Sequence, residues 1–135
     1  MHKILVICEE AGLRDACRRE LSGEGYDVHW VSSGHSALKY IEQHKVDLVI
    51  LHSDAVDNDC FTILEVLRSF CPDVSIILTS GRFDYWNNFM TWLADACLVP
   101  SPGLKELKHK VSELLTVGPA ADRIATGSSF AVDWE

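Results

Sequence analysis

Residues able to do chemistry gather at the ends of three apolar runs. Cys8, Glu9 and Glu10 follow Ile4-Leu5-Val6-Ile7, His52 follows Val46-Asp47-Leu48-Val49-Ile50-Leu51, and Thr79 follows Val74-Ser75-Ile76-Ile77-Leu78. Thiolate, carboxylate and imidazole together suit Zn²⁺, but Cys8, Glu9 and His52 are only three groups and nothing in their spacing demands a metal. The plainer reading of His52 is a neutral imidazole hydrogen-bonded to Glu9 or to backbone. Glu9 and Glu10 resemble a general acid/base pair, yet adjacent side chains at a strand end point apart, so one faces the pocket and the other solvent. Asp54, Asp57 and Asp59 alternate as calcium ligands do, but no glycine and no closing glutamate stand at loop spacing, which leaves a solvated turn.

The elements that must position these groups are legible in the same pattern. Besides the three runs above, Val28-His29-Trp30-Val31 and Ala96-Cys97-Leu98-Val99 read as strands. Four of the five runs are apolar nearly throughout, as strands covered on both faces must be, and the run at 28–31 alternates, as suits a sheet edge. Helical stripes lie between them. Leu13, Ala16, Cys17 and Leu21 form the first, stopped by Gly23 and Gly25. Ser33 is a candidate N-cap for the second, through Ala37, Leu38 and Ile41. Ile63, Leu64, Leu67 and Phe70 form the third, ended before Pro72. Trp86, Phe89, Met90 and Leu93 form the fourth, and Leu104, Leu107, Val111, Leu114 and Leu115 the fifth. Strands alternating with helices imply a parallel sheet with helices on both faces, its functional groups beyond the carboxyl ends of the strands.

A length of 135 residues favours one domain. A formal net charge of −8 argues against nucleic-acid binding, which needs Lys and Arg on phosphates. Five cysteines (Cys8, Cys17, Cys60, Cys71, Cys97) without a CxxC suggest reduced thiols in a cytosolic protein, most of them small buried hydrophobes. No apolar run reaches about 18 residues, and no leader precedes Lys3, so no membrane association is expected. Residues 1–116 read as the domain; Gly118-Pro119 breaks the last helix, and 117–135 reads as a tail or the start of a linker. The alternation of Phe130, Val132 and Trp134 would also allow docking or an added strand.

In order and spacing the landmarks resemble the receiver domain of bacterial two-component response regulators. They are Lys3-Ile4-Leu5-Val6-Ile7, Gly25-Tyr26-Asp27-Val28, Ser33-Gly34-His35-Ser36-Ala37-Leu38, the run 46–51, Ile76-Ile77-Leu78-Thr79-Ser80, Ala94-Asp95-Ala96-Cys97-Leu98-Val99 and Leu104-Lys105-Glu106-Leu107. The resemblance covers about Lys3 to Leu115. It implies an α/β, doubly wound, flavodoxin-like (βα)5 fold with a five-stranded parallel sheet in the order 2-1-3-4-5. It also implies a phosphorelay role. An Asp ending the third strand accepts phosphate, an acidic pair after the first strand binds Mg²⁺, and a Thr or Ser and a Lys offset charge on the transferring oxygens.

This chain departs from that pattern. Cys8 and Glu9 stand at the acidic-pair positions, His52 at the phosphoacceptor position, Thr79 at the switch Thr, Pro100 at the Lys and Cys97 at the aromatic switch. Imidazole cannot replace the acceptor carboxylate beside magnesium. The resemblance therefore implies a degenerate, or pseudo-, receiver: not an enzyme, with no cofactor expected beyond weak Mg²⁺ at Glu9. It would act as a cytoplasmic protein-interaction module for a sensor kinase, another regulator or an output domain. Tyr85, Trp86, Phe89 and Trp92 mark a candidate interaction surface, and a homodimer through the fourth helix, fifth strand and fifth helix fits the same face. Packing of these aromatics under the neighbouring loop or the tail is the alternative. Three other readings stay open. An atypical receiver would accept phosphate on Asp54 or Asp57, a two-residue shift from His52 in the first case. A one-residue slip would make Glu9-Glu10 the acid pair but switch the faces of the strand's side chains. A flavodoxin-like ligand- or metal-binding protein is the alternative of another class, against which stands a phosphate loop with Gly12 as its one glycine. The chain reads either as stand-alone or as the front of a longer protein.

Overall fold

The computed structural model describes residues 2–52, 58–79, 94–98 and 104–117. Five strands, β1 (Lys3–Ile7), β2 (Asp27–Val31), β3 (Leu48–His52), β4 (Ser75–Thr79) and β5 (Ala96–Leu98), form one sheet in the order β2-β1-β3-β4-β5. Every pairing is parallel. Parallel neighbours need crossovers, and helices supply them: α1 (Ala11–Gly23), α2 (Gly34–Gln43), α3 (Asn58–Phe70) and α4 (Lys105–Val117). The predicted aromatic helix with Tyr85, Trp86, Phe89 and Trp92 lies outside the described residues, as do Pro100, Asp54, Asp57 and the tail beyond Val117.

The strand pleat sends alternate side chains to two cores. One holds Leu5, Ile7, Val49, Leu51, Ile76 and Leu78 against Ala37 of α2 and Leu64 and Leu67 of α3. The other holds Ile4, Val6, Leu48, Ile50 and Ile77 against Cys17 and Leu21 of α1 and Leu107, Val111 and Leu114 of α4. This two-sided burial is why β1, β3 and β4 are continuous apolar runs. β2 is covered on one lateral edge only, and Trp30 is exposed there under the Arg14 guanidinium, 3.8 Å from its ring.

Local chemistry sets the helix ends. The Ser33 hydroxyl accepts the Ser36 amide at 3.2 Å and caps α2. Gly25 adopts φ +95° just beyond α1, a conformation that favours glycine. Gly34 is needed for a different reason: a Cβ there would meet Ile63 Cγ1 at 2.5 Å, so its bareness lets α2 approach α3.

Asp95 clamps the sheet on the α3 side. Its carboxylate is fully buried, accepts the Ile76 amide at 2.6 Å and pairs with the Arg68 guanidinium at 3.0 Å. Arg68 also donates to the Val74 carbonyl at 3.0 Å. The end of α3, the entry to β4 and the entry to β5 are thereby tied together.

Candidate functional site at the carboxyl ends of β1, β3 and β4

The pleat decides which side chains meet. Ile4 and Val6 on β1, Leu48 and Ile50 on β3 and Ile77 on β4 all face the α1/α4 side. Two residues further along each strand come Cys8, His52 and Thr79, which therefore emerge on that same face. His52 and Thr79 are register partners across β3 and β4. His52 Nδ1 and the Thr79 hydroxyl share a hydrogen bond of 2.9 Å. The His52 side chain is 7% exposed, and Thr79 is 3% exposed.

Cys8 stands one step past β1, where its amide still continues the ladder by donating to the Val31 carbonyl at 3.0 Å. The thiol is buried and donates to the Glu10 carbonyl at 3.3 Å. Behind it, burial pushes the Cys17 thiol up to about 12, with Cys8 nearby adding to the shift. This side of the pocket thus presents two buried thiols.

Glu9 and Glu10 are both exposed. The carboxylate nearest the imidazole belongs to Glu10, with Oε2 3.7 Å from His52 Nε2, which is longer than a hydrogen bond. His52 thus bonds Thr79 and has Glu10 as a neighbouring carboxylate. Glu10 is the N-cap of α1 with extended backbone (φ −79°, ψ 113°), so the chain turns there and carries this side chain back over the strand ends. Sequence reasoning also missed the Arg68–Asp95 pair; its one signal was an acid set between the alanines that enter β5.

Hydroxyl, imidazole and carboxylate in series could in principle relay a proton from a nucleophile. Here the hydroxyl is buried and spends its contact on the imidazole, so the arrangement offers a substrate no approach to Thr79. A hard cation also fits poorly. Mg²⁺ takes oxygen ligands, and the described pocket is lined by a buried thiol and an imidazole. Among the described residues no group of three or more His, Cys, Asp or Glu side chains could hold a metal ion.

A family model described as the response regulator receiver domain matches residues 4–111. The chain belongs to this family. It is 33% identical over 116 residues to the sensor kinase CckA of Brucella abortus, covering 83% of this chain and 12% of that protein. It is 31% identical over 80 residues to the response regulator MprA of Mycolicibacterium vanbaalenii, covering 59% of this chain and 35% of that one. The chain thus spans about an eighth and about a third of the length of these two relatives. The solved structure of the response regulator TrrA from Thermotoga maritima in complex with Mg²⁺-BeF is similar, with a TM-score of 0.77 and 32% identity over 84% of this chain and 99% of that one. TrrA bound to the histidine kinase ThkA gives a TM-score of 0.76 and 33% identity over 85% and 99%. Receivers are signalling modules of two-component phosphorelays, and this receiver shares their whole sheet order. Membership in the family supersedes the reading as an unrelated ligand-binding flavodoxin-like protein. Among the described residues, no helix of this receiver is long and apolar enough to cross a membrane.

Proposed function

We propose that this receiver is a pseudo-receiver, which does not accept phosphate in the family's way and works as a protein-interaction module in two-component signalling. One observation carries the reading: a nearly buried imidazole, bonded to Thr79, stands where the acceptor carboxylate belongs. An acyl phosphate needs a carboxylate oxygen as nucleophile, and His52 supplies none. The buried Cys8 thiol and the sequence's Pro100 weaken the site further, because the first removes a cation ligand and the second a charge on the transferring oxygens. Magnesium binding then rests on exposed carboxylates, Glu9 with Glu10 beside it, and is weak.

The partner is a protein. TrrA, similar to this chain over nearly its full length, was solved on a histidine kinase, which supports a kinase, a further regulator or an output domain as the class of partner. The net charge of −8 speaks against nucleic acid. The aromatic segment from Tyr85 to Trp92, together with β5 and α4, is the surface offered, either to such a partner or to a second copy. A cytoplasmic location fits this role.

The test is amide NMR of the full chain titrated first with Mg²⁺ and then with beryllofluoride, alongside intact mass after acetyl phosphate. We expect at most small shifts near Glu9 with Mg²⁺, nothing further with beryllofluoride, and no adduct. A stable phosphoryl adduct would overturn the reading. Its loss on joint replacement of Asp54 and Asp57 would then identify the acceptor.

A further inference from the structure

We propose that His52 is a resident ligand for Thr79, a positioning residue that holds the carboxyl ends of β3 and β4 in one arrangement and so gives this receiver a single signalling state. The inference deepens the pseudo-receiver reading and rests on it.

The argument begins with what the Thr79 hydroxyl touches. In the family pattern its partner is a phosphoryl oxygen, which arrives and leaves with phosphorylation, and a reversible partner can shift an equilibrium between two states. Here the partner is an imidazole on the neighbouring strand, at 2.9 Å and directly across in register. A ligand built into the chain has a very high effective concentration and is never diluted away. Both groups are nearly shut off from water, so solvent does not readily replace the bond between them. The pin therefore does not come and go.

The position of the pin gives it reach. Thr79 is the last residue of β4, and its own register partner on the outer side is Leu98 of β5. Behind it, Asp95 already fixes the entry to β5 through Ile76 and Arg68. β4 is thus held at both ends, at its entry through the Ile76 bond to the buried Asp95 and at Thr79 by His52, and β5 pairs against it between those points. In sequence the aromatic cluster, Tyr85 to Trp92, begins six residues after Thr79.

Hydrogen exchange and amide NMR on the full chain, in a cycle of His52→Phe, Thr79→Val and the double variant, with Thr79→Ser as the conservative control, test this. Phenylalanine keeps ring volume without the ring nitrogen, and valine keeps the shape of threonine without its hydroxyl. We expect each single variant to lower protection of the Cys97 and Leu98 amides by about three- to tenfold. The double variant should add little beyond either single one, and Thr79→Ser should match the wild type. Additive effects, changes confined to residues 52 and 79, or a serine variant that behaves like valine would overturn the pin. Should His52→Phe not fold, the valine and serine variants decide alone: only the former may lose protection. The phosphodonor challenge of the wild type reads the other question. An adduct there overturns the pseudo-receiver reading and the single state with it, whereas additivity in the cycle overturns the pin and leaves that reading standing.

Discussion

Replacing Asp95 by alanine should destabilise this receiver by about 3–5 kcal/mol. The carboxylate is fully buried, and two of its contacts would be lost together. The Ile76 amide, donating at 2.6 Å from a residue that is itself fully buried, would be left without an acceptor, which costs about 1–3 kcal/mol. The Arg68 guanidinium, whose side chain is 20% exposed, would lose its anion at 3.0 Å. Its bonds to the Pro72 and Val74 carbonyls do not neutralise it. Against an ordinary domain stability of about 5–15 kcal/mol, such a loss brings the protein near its threshold. Urea unfolding is the assay: with a slope of about 2 kcal/mol per molar, the midpoint should fall by roughly 2 M. Arg68→Ala should cost at least as much, because it strands a buried anion, and the double variant should cost clearly less than the sum. A cost below about 1 kcal/mol for Asp95→Ala, or simple additivity, would refute the account of Asp95 as a charge-paired clamp.

Gly34→Ala should lower thermal stability despite alanine's helix preference of about 1 kcal/mol, because its Cβ would press on the stiff Ile63 side chain, and Ile63→Ala should reverse the sign. Cys17 ionises near 9 in the unfolded chain but near 12 when folded, so its contribution is complete below pH 9 and declines as pH rises toward 12, by at most about 1.4 kcal/mol per pH unit. The difference in urea midpoint between wild type and Cys17→Ala should therefore narrow from pH 8 to pH 10.5, and a constant difference would contradict it. The Lys108 ammonium, bonded to Glu20 at 3.0 Å, holds that carboxyl below its usual 4.5, so the pair stabilises the α1–α4 contact above that pH and loses its effect as pH falls through the lowered value. Glu20→Gln should be milder at pH 3 than at pH 7, and less costly in high salt.

Much of the fold could be read from the chain because burial on two faces writes itself into sequence. β1, β3 and β4 are apolar at every or nearly every position, and Ser33 announces α2 by its side chain alone. Edge strand β2 betrays itself through exposed His29 and Trp30. The site was legible at its strand ends but not in its contacts. Which glutamate approaches His52 depends on how the chain turns at Glu10, a backbone event that two adjacent acids do not reveal. The partner of His52 depends on strand register, and neither the run ending at His52 nor the one ending at Thr79 carries that information by itself. Arg68 and Asp95 are 27 residues apart, and each alone looks like an ordinary surface charge.

Thr79 then needs no phosphate to account for it. An apolar residue at either position would remove one partner of a bond that is nearly shut off from water, at a cost of about 1–3 kcal/mol. Each side chain makes the other tolerable in a place water barely reaches. Replacing both by groups of similar shape removes both partners along with the bond, so the double variant should be more stable than the sum of the single losses predicts. A pocket that worked by binding a phosphoryl group would show no such reciprocity between these two positions, because its Thr would be waiting for a third party. That contrast separates a pocket still open to its old ligand from one that has closed around a side chain of its own.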